Sequence, residues 1–381
     1  MGEGHLRVRS GYSEANDAQR AAAEIAQAVE QPGMSLVLFF CSAEYDLDRL
    51  GSEMARLFDC PVAGCTSAGE IVPGLGYRRG GLVAVSLASP LLTATPLLIP
   101  GLDAITTRNG LQRILDALGE AGREGAREGF GLLLVDGLSL REEILVSTLH
   151  EALHGLPVVG GSAADHYRFR RTAVYHDGAF HDNAAVFLLV RCGLPFHIFQ
   201  LKHIAPTDER LVITAADPET RTVQEINGEP AAEEYARLVG RPVDALDDAL
   251  FADRPLMLRV GGSHFVRSIR GANPDGSLSF HCAIDVGLVV RIGRAGDLLG
   301  ELRDGLGAVE EALPDPALLF GCDCILRRTQ LESGGADDEA GALLGRAGMI
   351  GFNSYGEQCD GLHLNQTLTG VAIGRLPHGS A

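Results

Sequence analysis

Apolar positions along the chain fall into short unbroken runs, separated by segments in which they recur every three or four residues. The runs SLVLFFC (35–41), FGLLLVDG (130–137) and PALLFGCD (316–323) are apolar on successive residues, the pattern of strands covered on both faces. Around them DAQRAAAEIAQAV, DLDRLGSEMARLF, TRNGLQRILDALGEAG, REEILVSTLHEAL, DLLGELRDGLGAVEEAL and DDEAGALLGRAG each predict a helix. Further strands are predicted over PVAGCTSAGEI and GLVAVSLAS, over PVVGGSAAD, RTAVYHDGAF and NAAVFLLV, and over MIGFNSYGEQ and LNQTLTGVAIG.

These elements form one repeated unit, helix–strand–helix–strand–strand, present three times. Between the second and third copies lies different material. KHIAPTDERLVITAADPETRTVQEINGEPAAEEYARLVG reads as two strands and a short helix, and PLMLRVGG, HFVRSIRG, SLSFHCAI and GLVVRIG as four strands. The expected fold is α/β in the mixed α+β sense, with helix-flanked mixed sheets built from the repeat. Two domains are expected: 1–200 with two units, and 201–381 with the β-rich insert and the third unit.

Two copies share the spelling Gly, any residue, Thr or Asn, Ser, any residue, Gly, Glu: GCTSAGE from Gly64 and GFNSYGE from Gly351. A nucleophile elbow needs G-x-S-x-G before a helix, and a phosphate loop needs Gly-Lys-Ser/Thr before a helix. Here another strand follows, so the glycines are expected at positive φ or at close backbone approaches. Ser67 and Ser354 are expected to bond nearby backbone, and Glu70 and Glu357 to cap free N–H groups. Catalysis by Cys65 or Ser67 has no base and oxyanion donor in local spacing, and the chain is expected not to be an enzyme.

A length of 381 residues with 46% hydrophobic content allows large cores. The formal charge of −18 argues against nucleic acid and anionic lipid, whose binding runs on clustered cations. No run approaches the roughly 20 apolar residues of a membrane span and no secretory signal pattern opens the chain, so a cytoplasmic location is expected. Eight cysteines are spread too thinly for a disulfide scaffold, and Cys322 and Cys324 lack the C-x-x-C spacing of metal or redox sites.

GCTSAGEI, PVVGGSAAD and GFNSYGEQ together resemble the FIST sensory proteins, which pair an N-terminal and a C-terminal FIST domain. HIAPTDERLVITAADPETRTVQEINGEPAAEEYA, FVRSIRGANPDGSLSFHCAID, GCDCILRR and NSYGEQCDGLHLNQTLTGVAIG are similar to NosP, the haem-binding, nitric-oxide-sensing branch. The resemblance implies a sensor that holds haem b through a histidine. It would pass nitric oxide occupancy in trans to a sensor histidine kinase or to a diguanylate cyclase or phosphodiesterase. The alternative is a haem-free FIST receptor for a small metabolite such as an amino acid. A homodimer is the base-rate expectation for association.

Within that resemblance His203, in H-x-x-P-T-D at the end of an apolar element, is the expected iron ligand, with His197 as an alternative. Arg267 and Arg270 in VRSIRG, and Arg327 and Arg328 in ILRR, are read as strand-end cations for the propionates. His363 in LHLNQT is read as a distal or structural group. His264 and His281 read as aromatic positions on a sheet, and the pair His150 and His154 as a solvated helix face.

Overall fold

The computed structural model describes residues 5–376 apart from 107 and 125–127. Each unit folds around a parallel strand pair flanked by an antiparallel strand. In the first unit Leu36–Ser42 runs parallel to Val62–Ser67 and antiparallel to Leu82–Ala88, which in turn pairs with the edge strand Arg7–Ser13. The second unit repeats this with Gly129–Val135, Val158–Ser162, Ala184–Cys192 and Leu92–Pro100. The third uses Leu318–Cys324, Met349–Ser354, Thr367–Ile373 and Phe196–Lys202. The second-unit helix is described from Gly110, and Thr107 of its expected span lies outside the described residues.

Strand alternation explains the unbroken apolar runs. Leu36, Leu38 and Phe40 point into one large core, while Val37, Phe39 and Cys41 face the helices Ala18–Val29 and Leu47–Leu57. The second and third units contribute Phe130, Leu132 and Leu134, and Leu318, Phe320 and Cys322, to that same inner core. Three sheets therefore share one interior, with Phe40 stacked on Phe352 at 4.5 Å and on Phe320 at 5.6 Å between ring centres. Helices cover each outer face.

The units are locked by a cyclic exchange of short hairpins. The first unit's Glu70–Val72/Gly76–Arg78 joins the third sheet beside Met349–Ser354. The second unit's Val174–His176/Ala179–His181 joins the first sheet beside Val62–Ser67, and the third unit's Glu357–Cys359/Leu362–Leu364 joins the second beside Val158–Ser162. At the crossover, backbone bonds close a ring: Ala68 N–H donates to Asn353 O, Ala164 N–H to Thr66 O, and Tyr355 N–H to Ser162 O. Close approach is what the repeated glycine serves. A Cβ on Gly64, Gly160 or Gly351 would lie 2.3, 1.9 or 1.7 Å from a carbonyl oxygen of the adjacent parallel strand.

Residues 204–295 leave the third unit as a separate antiparallel sheet with its own core of Leu211, Ile213, Tyr235, Phe251, Phe280 and Val290 among others. It docks on the second unit through Arg221. Both Glu142, at 2.7 Å, and Glu143, at 2.6 Å, pair with this guanidinium, which is itself buried. Among the described residues no helix is long and apolar enough to cross a membrane.

Candidate functional site

The two carboxyls of the repeated motif serve the fold first. Glu357 is fully buried, accepting from Ser354 Oγ at 2.6 Å and from Thr367 N at 3.2 Å and Oγ1 at 2.8 Å. Glu70 accepts from Ser67 Oγ at 2.7 Å and, more distantly, from Gly81 N at 3.4 Å. Burial pushes Glu357 up to about 8 and Glu70 up to about 7. The second unit has no glutamate at this turn. Asp136, at the end of its first central strand, takes over the cap by accepting from Asn183 N at 2.5 Å.

Glu357 stays interior, but Glu70 borders open space. A cleft of about 350 Å³ is floored by Ser67, Ala68, Gly69 and Glu70 and walled by Ser42, Ala43 and Glu44 on one side and Arg79 and Gly80 on another. Its volume lies in the range of small-ligand pockets. The cleft is roofed by the second unit, through Asp165, His166, Arg168, Arg170 and Arg171.

That roof is a strained, tightly held loop. His166, Tyr167 and Phe169 have φ of 57°, 61° and 49°, the left-handed region that costs a side-chain-bearing residue about 1–2 kcal/mol each. Asp165 holds them there: its carboxylate accepts from the backbone N–H of Phe169 at 2.9 Å, Arg170 at 2.6 Å and Arg171 at 2.9 Å. Tyr355 of the third unit donates its hydroxyl to Asp165, accepts from Tyr167 N at 2.8 Å, and stacks on Phe169 at 5.0 Å. Burial works against the charge on Asp165, but the Tyr355 and backbone donors outweigh it and keep the carboxyl below its ordinary range. Three left-handed side chains in four residues, fixed by four donors, place Arg168, Arg170 and Arg171 around the cleft.

The residues expected around a haem are distributed differently. His203 is buried at the neck of the insert with both ring nitrogens engaged. Nδ1 accepts from Arg327 Nη1 at 3.0 Å, and Nε2 carries the hydrogen shared with Gln330 Oε1 at 2.7 Å. Burial and the Arg327 charge lower its pKa to about 3, so the ring is neutral. Arg327 in turn binds Asp323 at 2.8 Å, and Asp323 accepts from Tyr77 Oη at 2.5 Å. As arranged, no lone pair of His203 is free for iron.

Arg327 and Arg328 do not end a strand, as the sequence predicts, but sit in the first turn of the helix Ile325–Ser333, which starts directly after Cys324. The run reads as strand-like because Ile325, Leu326 and both arginines are all buried, which hides the helical period. Arg328 points away from His203, to Arg78 O at 3.1 Å, Asn353 Oδ1 at 2.8 Å and Glu332 at 2.9 Å. Arg267 is half-buried with Nη1 on Val266 O at 3.3 Å, and Arg270 is exposed over the Phe169 ring. His363 is buried against Gln358 Nε2 at 3.3 Å, its Nε2 without a partner. Of these residues only Arg327 contacts His203. Among the described residues no three His, Cys, Asp or Glu side chains are grouped to hold a metal ion.

The roof arginines escaped the sequence reading. The available signal was HYRFRR (166–171), a basic run placed between PVVGGSAAD and its hairpin, where the first and third units pass from turn to hairpin within a few residues.

A FIST N domain matches residues 35–229 and a FIST C domain matches residues 231–360. No curated protein matches the chain. Among solved structures, the cyanuric acid hydrolase from A. caulinodans aligns with 97% of this chain and 99% of its own, at 10% identity and a TM-score of 0.32. That score carries no weight for fold or activity.

Proposed function

The chain belongs to the FIST family of sensory, ligand-binding domains, and we propose that it is a receptor that takes a small metabolite into the cleft between its first and second units. The observation that carries this reading is the loop 165–171. Backbone strain has been concentrated in the roof over Ser67 and Glu70, and it is held by a tyrosine from the third unit. A ligand in the cleft touches the first and second units, and the roof it meets is braced by Tyr355 of the third. Occupancy can therefore alter the surface read by a separate partner, through differential affinity for two arrangements.

The finer proposal raised by the sequence, haem b on His203 sensing nitric oxide for a sensor histidine kinase or a cyclic-di-GMP enzyme, requires His203 to give up Arg327 or Gln330. Two measurements separate the readings. Equilibrium dialysis against a metabolite extract, followed by mass spectrometry, should show small molecules retained by the wild type and lost from Ala43→Trp, which fills the cleft wall. Equal retention by both proteins overturns the cleft receptor. Reconstitution with hemin should give no Soret band dependent on His203, and a band lost in His203→Ala reinstates the haem sensor.

A further inference from the structure

We propose that the ligand of this cleft is a small dianion, an oxyanion or dicarboxylate group seated between Arg170 and Arg171 and a floor carboxyl, Glu70, that must carry its proton for the anion to bind. This rests on the receptor reading above and adds the ligand's charge and its coupling to a proton.

The charge follows from the lining. Four arginines, Arg79, Arg168, Arg170 and Arg171, face the cleft, and the carboxyls beside them are Glu44, Asp165 and Glu70. Asp165 is spent on its own loop, Arg168 is paired with Glu44, and Arg79 with Glu332. The guanidinium groups of Arg170 and Arg171 have no hydrogen-bond or ion-pair partner among the described residues. Arg79 shares Glu332 with Arg328, so with Glu70 neutral five arginines in and beside the cleft stand against Glu44, Asp165 and Glu332, an excess of two that a dianion balances. On a chain of formal charge −18 this is a local reversal of sign. Guanidinium pairs suit planar carboxylates and tetrahedral oxyanions alike.

The proton follows from the floor. The Ser67 hydroxyl has one hydrogen and two acceptors, Glu70 Oε1 at 2.7 Å and Cys41 O at 3.2 Å. A proton on Glu70 reverses the Ser67–Glu70 bond and satisfies both acceptors, the carboxyl donating to Ser67 and Ser67 to the Cys41 carbonyl. The groups whose charge reaches Glu70 do not supply a substitute. Tyr12 on the edge strand, Tyr45 in the wall loop and Cys41 on the central strand are held uncharged by burial. Arg78 lies on the exchanged hairpin with Nη1 on Tyr77 O, and Arg328 is tied to Asn353, Arg78 O and Glu332. An ionised Glu70, buried in the floor beneath the cleft, would therefore repel a bound dianion.

The test is isothermal titration of the full chain with sulfate and, separately, with succinate, against acetate and chloride at matched ionic strength. Sulfate and succinate keep their charge from pH 6.5 to 8.5, and they separate an oxyanion site from a dicarboxylate site. Either dianion should bind at least tenfold more tightly than acetate. With Glu70 titrating near 7, affinity should fall about twentyfold or more between pH 6.5 and 8.5. Glu70→Gln should bind well at both pH values, and Arg170→Ala with Arg171→Ala should lose most binding. His166→Gln tests the histidine of the lining and should keep the wild-type pH dependence. Dianions no better than acetate, or a pH dependence that persists in Glu70→Gln, overturns this proposal while leaving a receptor for another ligand. Dianion binding that survives Ala43→Trp unchanged instead removes the cleft as the receptor site.

Discussion

Glu357→Gln isolates a buried carboxyl that has no contact with the cleft. Glu357 is wholly enclosed and receives Ser354 and two donors from Thr367, yet burial wins and its pKa rises from an ordinary 4.5 to about 8. Between those two values the folded chain keeps a proton that the unfolded chain has released. Stability contributed by the neutral form is thus fully present below pH 4.5 and is lost as pH rises through 8. The slope for one such proton is about 1.4 kcal/mol per pH unit, which amounts to about 2–3 kcal/mol from pH 5.5 to 7.5. Glutamine is neutral throughout and has nearly the same shape. The stability of Glu357→Gln relative to wild type should therefore improve by about 2–3 kcal/mol over that interval. Urea denaturation of both proteins at pH 5.5, 6.5 and 7.5 measures this. Two parallel pH profiles would refute the reasoning and mean that Glu357 is ionised in the folded protein.

Other contacts give equally direct expectations. Arg221→Ala leaves Glu142 and Glu143 without their shared cation and should cost about 3–5 kcal/mol, seen as a lower denaturation midpoint and earlier proteolysis of the insert. Gly351→Ala drives a methyl to 1.7 Å from the Gly321 carbonyl and should yield little folded protein. Gly307→Ala, in the helix Leu298–Ala312 with open space at its Cβ, should raise stability by about 0.5–1 kcal/mol in the same denaturation assay. Tyr355→Phe removes the donor to Asp165 and the acceptor for Tyr167 N. Hydrogen exchange across residues 165–171 should speed up at least tenfold while the central strands keep their protection.

How much could be read in advance differs by feature. The three units were legible because each central strand is buried on both sides, and such burial writes itself as an uninterrupted apolar run, as in Leu36 to Cys41. The motif glycines were legible as close approaches, since a turn without lysine or a following helix leaves little else for them to do. His203 was legible as a residue of consequence at the end of an apolar strand. Its partners were not, because Arg327 and Gln330 lie more than 120 positions away on a helix whose buried first turn conceals its period.

By itself the sequence determined most of the local elements, their threefold recurrence and the strand-rich insert, because backbone alternation and side-chain burial are local in the chain. Tertiary structure alone decided which unit receives which hairpin: strands of three residues carry too little pattern to specify a partner, and the choice falls to the interlocked turns at Thr66, Ser162 and Asn353. The cleft is a product of that choice. Only when the second unit's hairpin crosses to the first sheet does the loop 165–171 come to lie over Ser67 and Glu70, adding its three arginines to the first unit's Arg79.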